Sequence, residues 1–368
     1  MMMFSREQPG GSGRPWWRLR RVRTVLVLLG LLLIVKFVLM PRLSGSAETM
    51  RLVSQVPLPF LAAAIVLEAA ALAAYSMLTR TVLPQENRPS LGVLLRIDLT
   101  SAGVNHSVPG GAAVAAALRF RLLTAFGVRV PDAVFGAVAQ GASSAIMLNG
   151  TLWLALLVAI PVYGARPLFA IVVAIGAGLF SLAAVGVLAL TRGNAWTIGL
   201  VRKIASCVPR VTPDQAEFHV GRIAENLRAF TADHRLLGRA ARWSAANLLL
   251  DAAALWVFLA AFGYRIEPVG LLVALGVANV LAALPITPGG LGIVEGALVP
   301  MLVVVGAPHE VALLAVLSWR LVNFWLPLPI AAMTYLSLRS RLSDPAPARP
   351  AVAALLSKPG SGPARAAV

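Results

Sequence analysis

Long apolar runs separated by short polar ones repeat along most of this chain. Residues 24–40, 58–78, 133–161, 168–191, 245–262 and 311–336 are each rich in Leu, Ala and Val, and most are near the ~20 residues that carry a helix across ~30 Å of hydrocarbon. The runs are continuous rather than short alternations, so the pattern predicts membrane helices and not a barrel. Two further apolar regions are interrupted. Residues 91–126 break at Asn105-His106-Ser107-Val108-Pro109-Gly110-Gly111, and residues 269–305 break at Pro285-Ile286-Thr287-Pro288-Gly289-Gly290. Residues 192–242 differ again, with charges at about every fourth position between apolar ones, the pattern of an amphipathic helix lying on a membrane surface.

Composition agrees with lipid as the main solvent: 58% of the 368 residues are hydrophobic and 13% are charged, a balance that a polar outer surface does not permit. Residues 1–23 form a basic cytoplasmic start and residues 24–340 a membrane domain. Residues 341–368 read as a disordered cytoplasmic tail rich in Pro and Ala. The run at 24–40 is long for a secretory signal, and Ser44-Gly45-Ser46-Ala47 is a weak cleavage site, so it is expected as a retained span. One cysteine, Cys207, and four scattered histidines predict no metal, no cofactor and no redox chemistry.

The formal charge of +17 changes the picture through its placement. With the amino terminus in the cytoplasm, the Lys and Arg fall on the cytoplasmic side except for Arg42, Arg51, Arg166 and Arg265 outside and Lys36 and Arg320 within spans. The positive-inside rule therefore predicts both termini in the cytoplasm, whether the interrupted regions return or cross fully, and a Gly/Ala/Arg-rich composition without eukaryotic targeting signals is compatible with a bacterial inner membrane. Basic residues beside spans meet anionic lipid headgroups, and no nucleic-acid module accompanies them.

The two interruptions are related. Gly127 follows Pro109 at the same offset at which Gly306 follows Pro288, and a second proline comes soon after each, Pro131 and Pro308. An acidic residue stands in the preceding span both times, Glu68 ahead of Pro109 and, at nearly the same separation, Asp251 ahead of Pro288. The expected topology presents the units to the membrane from opposite sides. The predicted fold is thus an all-α polytopic bundle of two inverted-topology repeats, each with an interrupted or re-entrant helical hairpin. Residues 291–305 would make an arm of only about 22 Å, which suits a hairpin whose tip lies within the membrane, although the longer arm from Val269 would nearly cross.

Candidate chemistry gathers at the two tips. Helices starting after Gly111 and Gly290 would aim unpaired N–H groups and a positive dipole end at a guest, which favours a phosphate or carboxylate. Asn105, Pro109, Gly110 and Gly111 in the first unit and Thr287, Pro288, Gly289 and Gly290 in the second are the candidate binding positions. Charges within spans are costly, about 2.5 to 3.5 kcal/mol for Arg or Asp on insertion scales, and pair or line a cavity. Glu295 and Arg320 are placed to pair with one another, and Glu68 and Asp251 are candidate proton-coupling or ion-pair groups. Arg119 and Arg121 are expected as interfacial anchors, with lipid phosphate as the other possible partner. Interhelical hydrogen bonding suffices to explain Asn105, Asn279 and Asn323.

The run Leu284-Pro285-Ile286-Thr287-Pro288-Gly289-Gly290-Leu291-Gly292-Ile293-Val294-Glu295, with Ser318-Trp319-Arg320 in the next span, resembles the signature of the lysylphosphatidylglycerol synthase transmembrane-region family. The resemblance extends over residues 24–340. It implies a flippase-like membrane domain, the half of multiple-peptide-resistance proteins that moves aminoacylated phosphatidylglycerol between leaflets. Only the short stretch from Arg341 to Val368 follows Ser340, too little for the aminoacyl-transferase domain of those proteins, so synthesis of the aminoacyl lipid is not expected of this chain.

Expected partners are therefore membrane lipids, either anionic phospholipid or polyprenyl-phosphate-linked cargo, and an envelope-synthesis enzyme. The leading expectation is a transporter of lipid headgroups rather than an enzyme. No GxxxxGK[ST] motif is present, which leaves a gradient, a partner or downhill movement as the energy source. A membrane-embedded transferase using a lipid-linked donor, and a non-transporting scaffold for envelope enzymes, are the alternatives. Against the transferase, the external loops carry only Glu48, Glu267 and Glu310 as acids.

Overall fold

A computed structural model describes residues 56–108, 110–163, 225–283 and 287–343, together with 173, 174, 176–178, 180, 181, 185 and 221. The expected first span, the span at 168–191 except for these few residues, most of the amphipathic segment, Pro109 and the tail beyond Ser343 lie outside the described residues. Every regular element among the described residues is helical.

The helices are α1 (Leu58–Val82), α2 (Leu91–Ser107), α3 (Gly111–Ala125), α4 (Val130–Tyr163), α5 (His234–Ala261), α6 (Pro268–Ala282), α7 (Ile293–Val304), α8 (His309–Arg320) and α9 (Pro327–Ser343). Among the described residues, four stretches are long and apolar enough to cross a membrane: Leu58–Val82, Val130–Pro161, His234–Ala261 and His309–Arg339. They expose large apolar side chains outward, with Val66 and Leu154 at 67% and Leu157 at 70%. In water such a surface would aggregate; it is the outside of a protein dissolved in lipid.

Local chemistry sets the helix ends. Asp233 caps α5, its Oδ1 accepting from the backbone N–H of Arg235 at 2.9 Å and of Leu236 at 3.0 Å, which begins this helix well before the apolar run itself. Pro268 opens α6 at a position where its missing N–H costs nothing. The arms α3 and α7 end alike. Gly127 and Gly306 both take positive φ, 90° and 106°, and a reaching bond closes each end, Val128 N–H to Leu123 O at 3.1 Å and Ala307 N–H to Leu302 O at 2.9 Å. This is the Schellman termination, and it falls on both glycines that the equal spacing from Pro109 and Pro288 singles out.

The contacts between helices are reciprocal. The helices preceding the two interruptions, α1 and α5, pack along one another. The first arm of one hairpin, α2, packs on α9, which follows the other hairpin, and the first arm α6 packs on α4, which follows α3. Both crossings are close because a glycine faces the partner: a Cβ at Gly103 would overlap Cβ of Ala331, and one at Gly276 would lie 2.9 Å from Leu152 Cδ1. Small residues at helix crossings are what association in lipid requires, since burial from water contributes little there. The main core, around Leu255, Phe258, Leu259, Ala274, Leu298 and Leu302, joins α5, α6 and α7.

Between α8 and α9 the backbone widens into a π-turn over Leu321–Trp325. Pro327 explains it: the ring has no N–H to give and would collide with the carbonyl four residues earlier, so the chain closes Leu326 N–H on Leu321 O instead, at 2.9 Å. Around this turn Trp319, Arg320, Val322 and Phe324 are buried, while Leu321 is exposed.

Candidate functional site

The second interruption is a compact tip. After α6, Thr287 leads into a single 3-10 turn, Pro288–Gly290, and α7 starts at Ile293 rather than directly after Gly290. Gly289 has φ 52°, a conformation costly for other L-residues. Its Cα is also pressed against both His106 and Phe324, so that a Cβ would stand 2.7 Å from a ring carbon of each. The tip of the second hairpin therefore rests on the end of α2, the first arm of the other hairpin. His106 stacks on Phe324 with centroids 4.4 Å apart and planes at 14°. Its Nδ1 lies 3.3 Å from the carbonyl of Phe324, and since a carbonyl only accepts, Nδ1 is the protonated nitrogen.

Arg320 holds this tip. Its Nε donates to Glu295 Oε1 at 2.6 Å and its Nη2 to the carbonyl of Gly290 at 3.3 Å, with the guanidinium over the rings of Trp319 and Phe324. The pair expected from the sequence thus forms, and it is buried, with 6% of the Arg320 side chain and 18% of Glu295 exposed. The other oxygen of Glu295 accepts the backbone N–H of Gly292 at 2.5 Å. The anion that the start of the second arm was expected to attract from outside is therefore supplied by the chain itself, because the capping carboxylate sits three residues into the helix. Thr287 Oγ1 is buried beside this tip with no hydrogen-bond partner.

One turn away, Glu68 and Asp251 meet. Trp319 Nε1 donates to Glu68 Oε1 at 3.0 Å and to Asp251 Oδ1 at 3.2 Å, and Asn323 Nδ2 donates to Glu68 Oε2 at 3.0 Å and to Asp251 Oδ1 at 3.1 Å. The acids that precede the two interruptions at similar separations are thus brought together by the same two donors. Asn323 makes the interhelical bonds expected of it.

The first tip is built differently. Gly110, at φ 66°, precedes α3, and no side chain caps the helix. Gly111 is packed so tightly on the backbone of Asn105 that a Cβ would overlap its carbonyl. Asn105 contributes main chain here, and Pro109 lies outside the described residues. Charge is held further down the hairpin, where Arg119 Nε bonds Asp98 Oδ1 at 2.8 Å and Arg119 Nη2 bonds Thr79 Oγ1 at 2.6 Å. Ser76 Oγ donates to Asp98 Oδ2 at 2.7 Å. With 11% of Arg119 and 1% of Asp98 exposed, Arg119 is an internal clamp between the arms and not an interfacial anchor; Arg121 is exposed.

The family model for the lysylphosphatidylglycerol synthase transmembrane region matches residues 25–331. The chain belongs to this family. It is accordingly a multi-pass membrane protein, as its helices show independently. No curated protein matches the chain. The matched span contains both hairpin tips and the Glu295–Arg320 pair.

Sequence reasoning missed Asp98 in the first hairpin and the contact of His106 with Phe324 at the second tip. Asp98 stands in an apolar arm and carries the same signal as Glu68, an acid within a hydrophobic run, so it was findable. His106 and Phe324 were not, because only the π-turn before Pro327 and the fold bring an aromatic ring under the histidine.

Proposed function

We propose that this protein moves the phosphate-bearing headgroup of an anionic lipid between leaflets, past the two hairpin tips, while the acyl chains remain in apolar surroundings. One observation carries the reading: the short segment 319–324 holds the second tip through Arg320, the end of α2 through Phe324 and His106, and the two acids that precede the interruptions, Glu68 and Asp251, through Trp319 and Asn323. A helix turn in contact with both hairpins and both acids is suited to couple their positions, whereas a scaffold has no need of buried charge at its centre.

The reciprocal packing of α2 on α9 and α6 on α4, and the matching ends of α3 and α7, support two inverted repeats with re-entrant hairpins. In the proposed cycle the headgroup phosphate takes the place of the Glu295 carboxylate on Arg320 Nε and Gly292 N–H, a two-point anion seat that Glu295 keeps filled between turnovers. Thr287 Oγ1 supplies a further donor. Asn105, Gly110 and Gly111 form the corresponding surface of the first tip. Glu68 and Asp251 are the candidate proton carriers for coupling to a gradient. Positive-inside counting supports cytoplasmic termini in the plasma membrane.

The test is reconstitution in liposomes with headgroup-labelled phosphatidylglycerol, following how fast the label becomes accessible on the opposite leaflet. Wild type is expected to accelerate movement, and Glu295→Gln and Arg320→Ala, checked for folding by size-exclusion profile, are expected to lose it. If phosphatidylglycerol and a polyprenyl-phosphate sugar both move no faster than in empty liposomes, the transport reading fails.

A further inference from the structure

An apolar groove of about 370 Å³ runs between the two arms of the second hairpin, lined by Val277 and Leu281 of α6 and, along α7, by residues from Gly292 through Gly296 to Met301. Its volume falls in the ~300–1,000 Å³ range of small-molecule sites. We propose that this groove holds one acyl chain of the phospholipid whose headgroup is at the second tip. The inference rests on the transport reading and names where the apolar part of the cargo lies.

Three features point to this occupant. Gly292 belongs to both places, since its N–H is half of the anion seat and its residue lines the upper end of the groove. A polar seat continuous with an apolar trough has the complementarity of an amphiphile. The trough extends along α7 over 292–301, about 13 Å of helix at 1.5 Å per residue, close to half of a ~30 Å hydrocarbon core and thus to one leaflet's chain length.

Gly296 is the third feature. It is exposed in the middle of α7, and a Cβ there would have no heavy atom within 4 Å. Glycine inside a helix costs about 0.8–1.0 kcal/mol relative to alanine, and usually repays it by letting another helix approach. No described helix does so at this position, so the space stays open along the trough. Lipid tails are as apolar as the groove, so the groove by itself gives little preference over the bilayer. Selectivity arises because a headgroup anchored at Gly292 tethers its own chain to the trough.

The experiment uses the full chain in phosphatidylcholine nanodiscs with phosphatidylglycerol carrying a diazirine in one acyl chain. Illumination and peptide mapping compare label on the peptide containing 292–301 with label on α4 around Leu154 and Leu157, which face lipid without a groove. Wild type is expected to label the groove peptide more strongly. In Gly296→Trp, whose side chain enters open space, groove labelling should fall about tenfold relative to the α4 peptide, the equivalent of about 1.4 kcal/mol. Gly296→Leu provides a milder filling if the indole disturbs folding. Equal labelling of the two peptides in wild type, or groove labelling unchanged in both folded variants, overturns the inference. Headgroup movement measured in the same preparations keeps the two readings apart: movement without preferential groove labelling sinks the chain site alone, and absent movement sinks the transport reading on which it rests.

Discussion

The two hairpins share a spacing, a glycine-rich tip and the same arm ending, yet they hold charge at different depths and in different company. In the first, Arg119 bonds Asp98 between the hairpin's own arms, with Thr79 and Ser76 of α1 completing a satisfied network. In the second, Glu295 reaches out of the hairpin to Arg320 on the following helix, and the pair lies at the tip itself. An ion pair within a hairpin fixes its shape; one between a tip and its neighbour can exchange partners while the hairpin keeps its shape. Similar sequence units thus hold charge differently: the first is braced between its own arms, and the second is tied at its tip to the following helix, the arrangement that the proposed cycle uses.

The first hairpin is expected to be the more sensitive of the two to loss of its ion pair. Arg119→Ala leaves Asp98 charged and buried without its partner, so stability should fall by about 3–5 kcal/mol, read as a lower midpoint of thermal unfolding in detergent. Folded protein recovered at low temperature should still move headgroups; a selective loss of transport would make the two hairpins functionally equal.

Glu295→Gln has the next largest effect on stability. It keeps an oxygen for the Gly292 N–H but removes the charge opposite Arg320, and a hydrogen bond to a charged group contributes about 1.5–3 kcal/mol. Transport should suffer more than the thermal midpoint does, the reverse of Arg119→Ala.

Gly289→Ala sharpens the contact between tips. The left-handed backbone costs about 1–2 kcal/mol for alanine, and the new methyl displaces His106 from Phe324. The thermal midpoint of unfolding should fall accordingly; an unchanged midpoint would mean that the tips do not depend on this fit.

The smallest change is expected from Asn323→Ala. Interhelical hydrogen bonds in membranes average about 0.6 kcal/mol, so the thermal midpoint should hardly move. Transport driven by a proton gradient should shift its pH dependence, because Glu68 and Asp251 lose one of their two shared donors. An unshifted profile would remove these acids from the proton pathway.

Much of the architecture was legible without coordinates. Run lengths of apolar residues announced the membrane helices, because hydrocarbon thickness is a fixed ruler and an unpaired backbone group is prohibitively costly in it. Pro109, Gly127, Pro288 and Gly306 marked the breaks and arm ends, since proline and glycine limit backbone geometry locally. The Glu295–Arg320 pair was legible for a related reason, two opposite charges in an apolar setting with few other partners to choose.

Tertiary structure decided the rest. That Glu68 and Asp251, far apart in sequence, share Trp319 and Asn323 follows from α1 packing along α5, which no local pattern specifies. That Arg119 faces inward depends on Asp98 on the other arm of its hairpin. That Glu295 fills the helix start expected to await an anion depends on α7 beginning at Ile293. Residue type and spacing determine what a segment is able to do; which groups meet is settled only when the helices pack, because the partner that satisfies a buried charge comes from elsewhere in the chain.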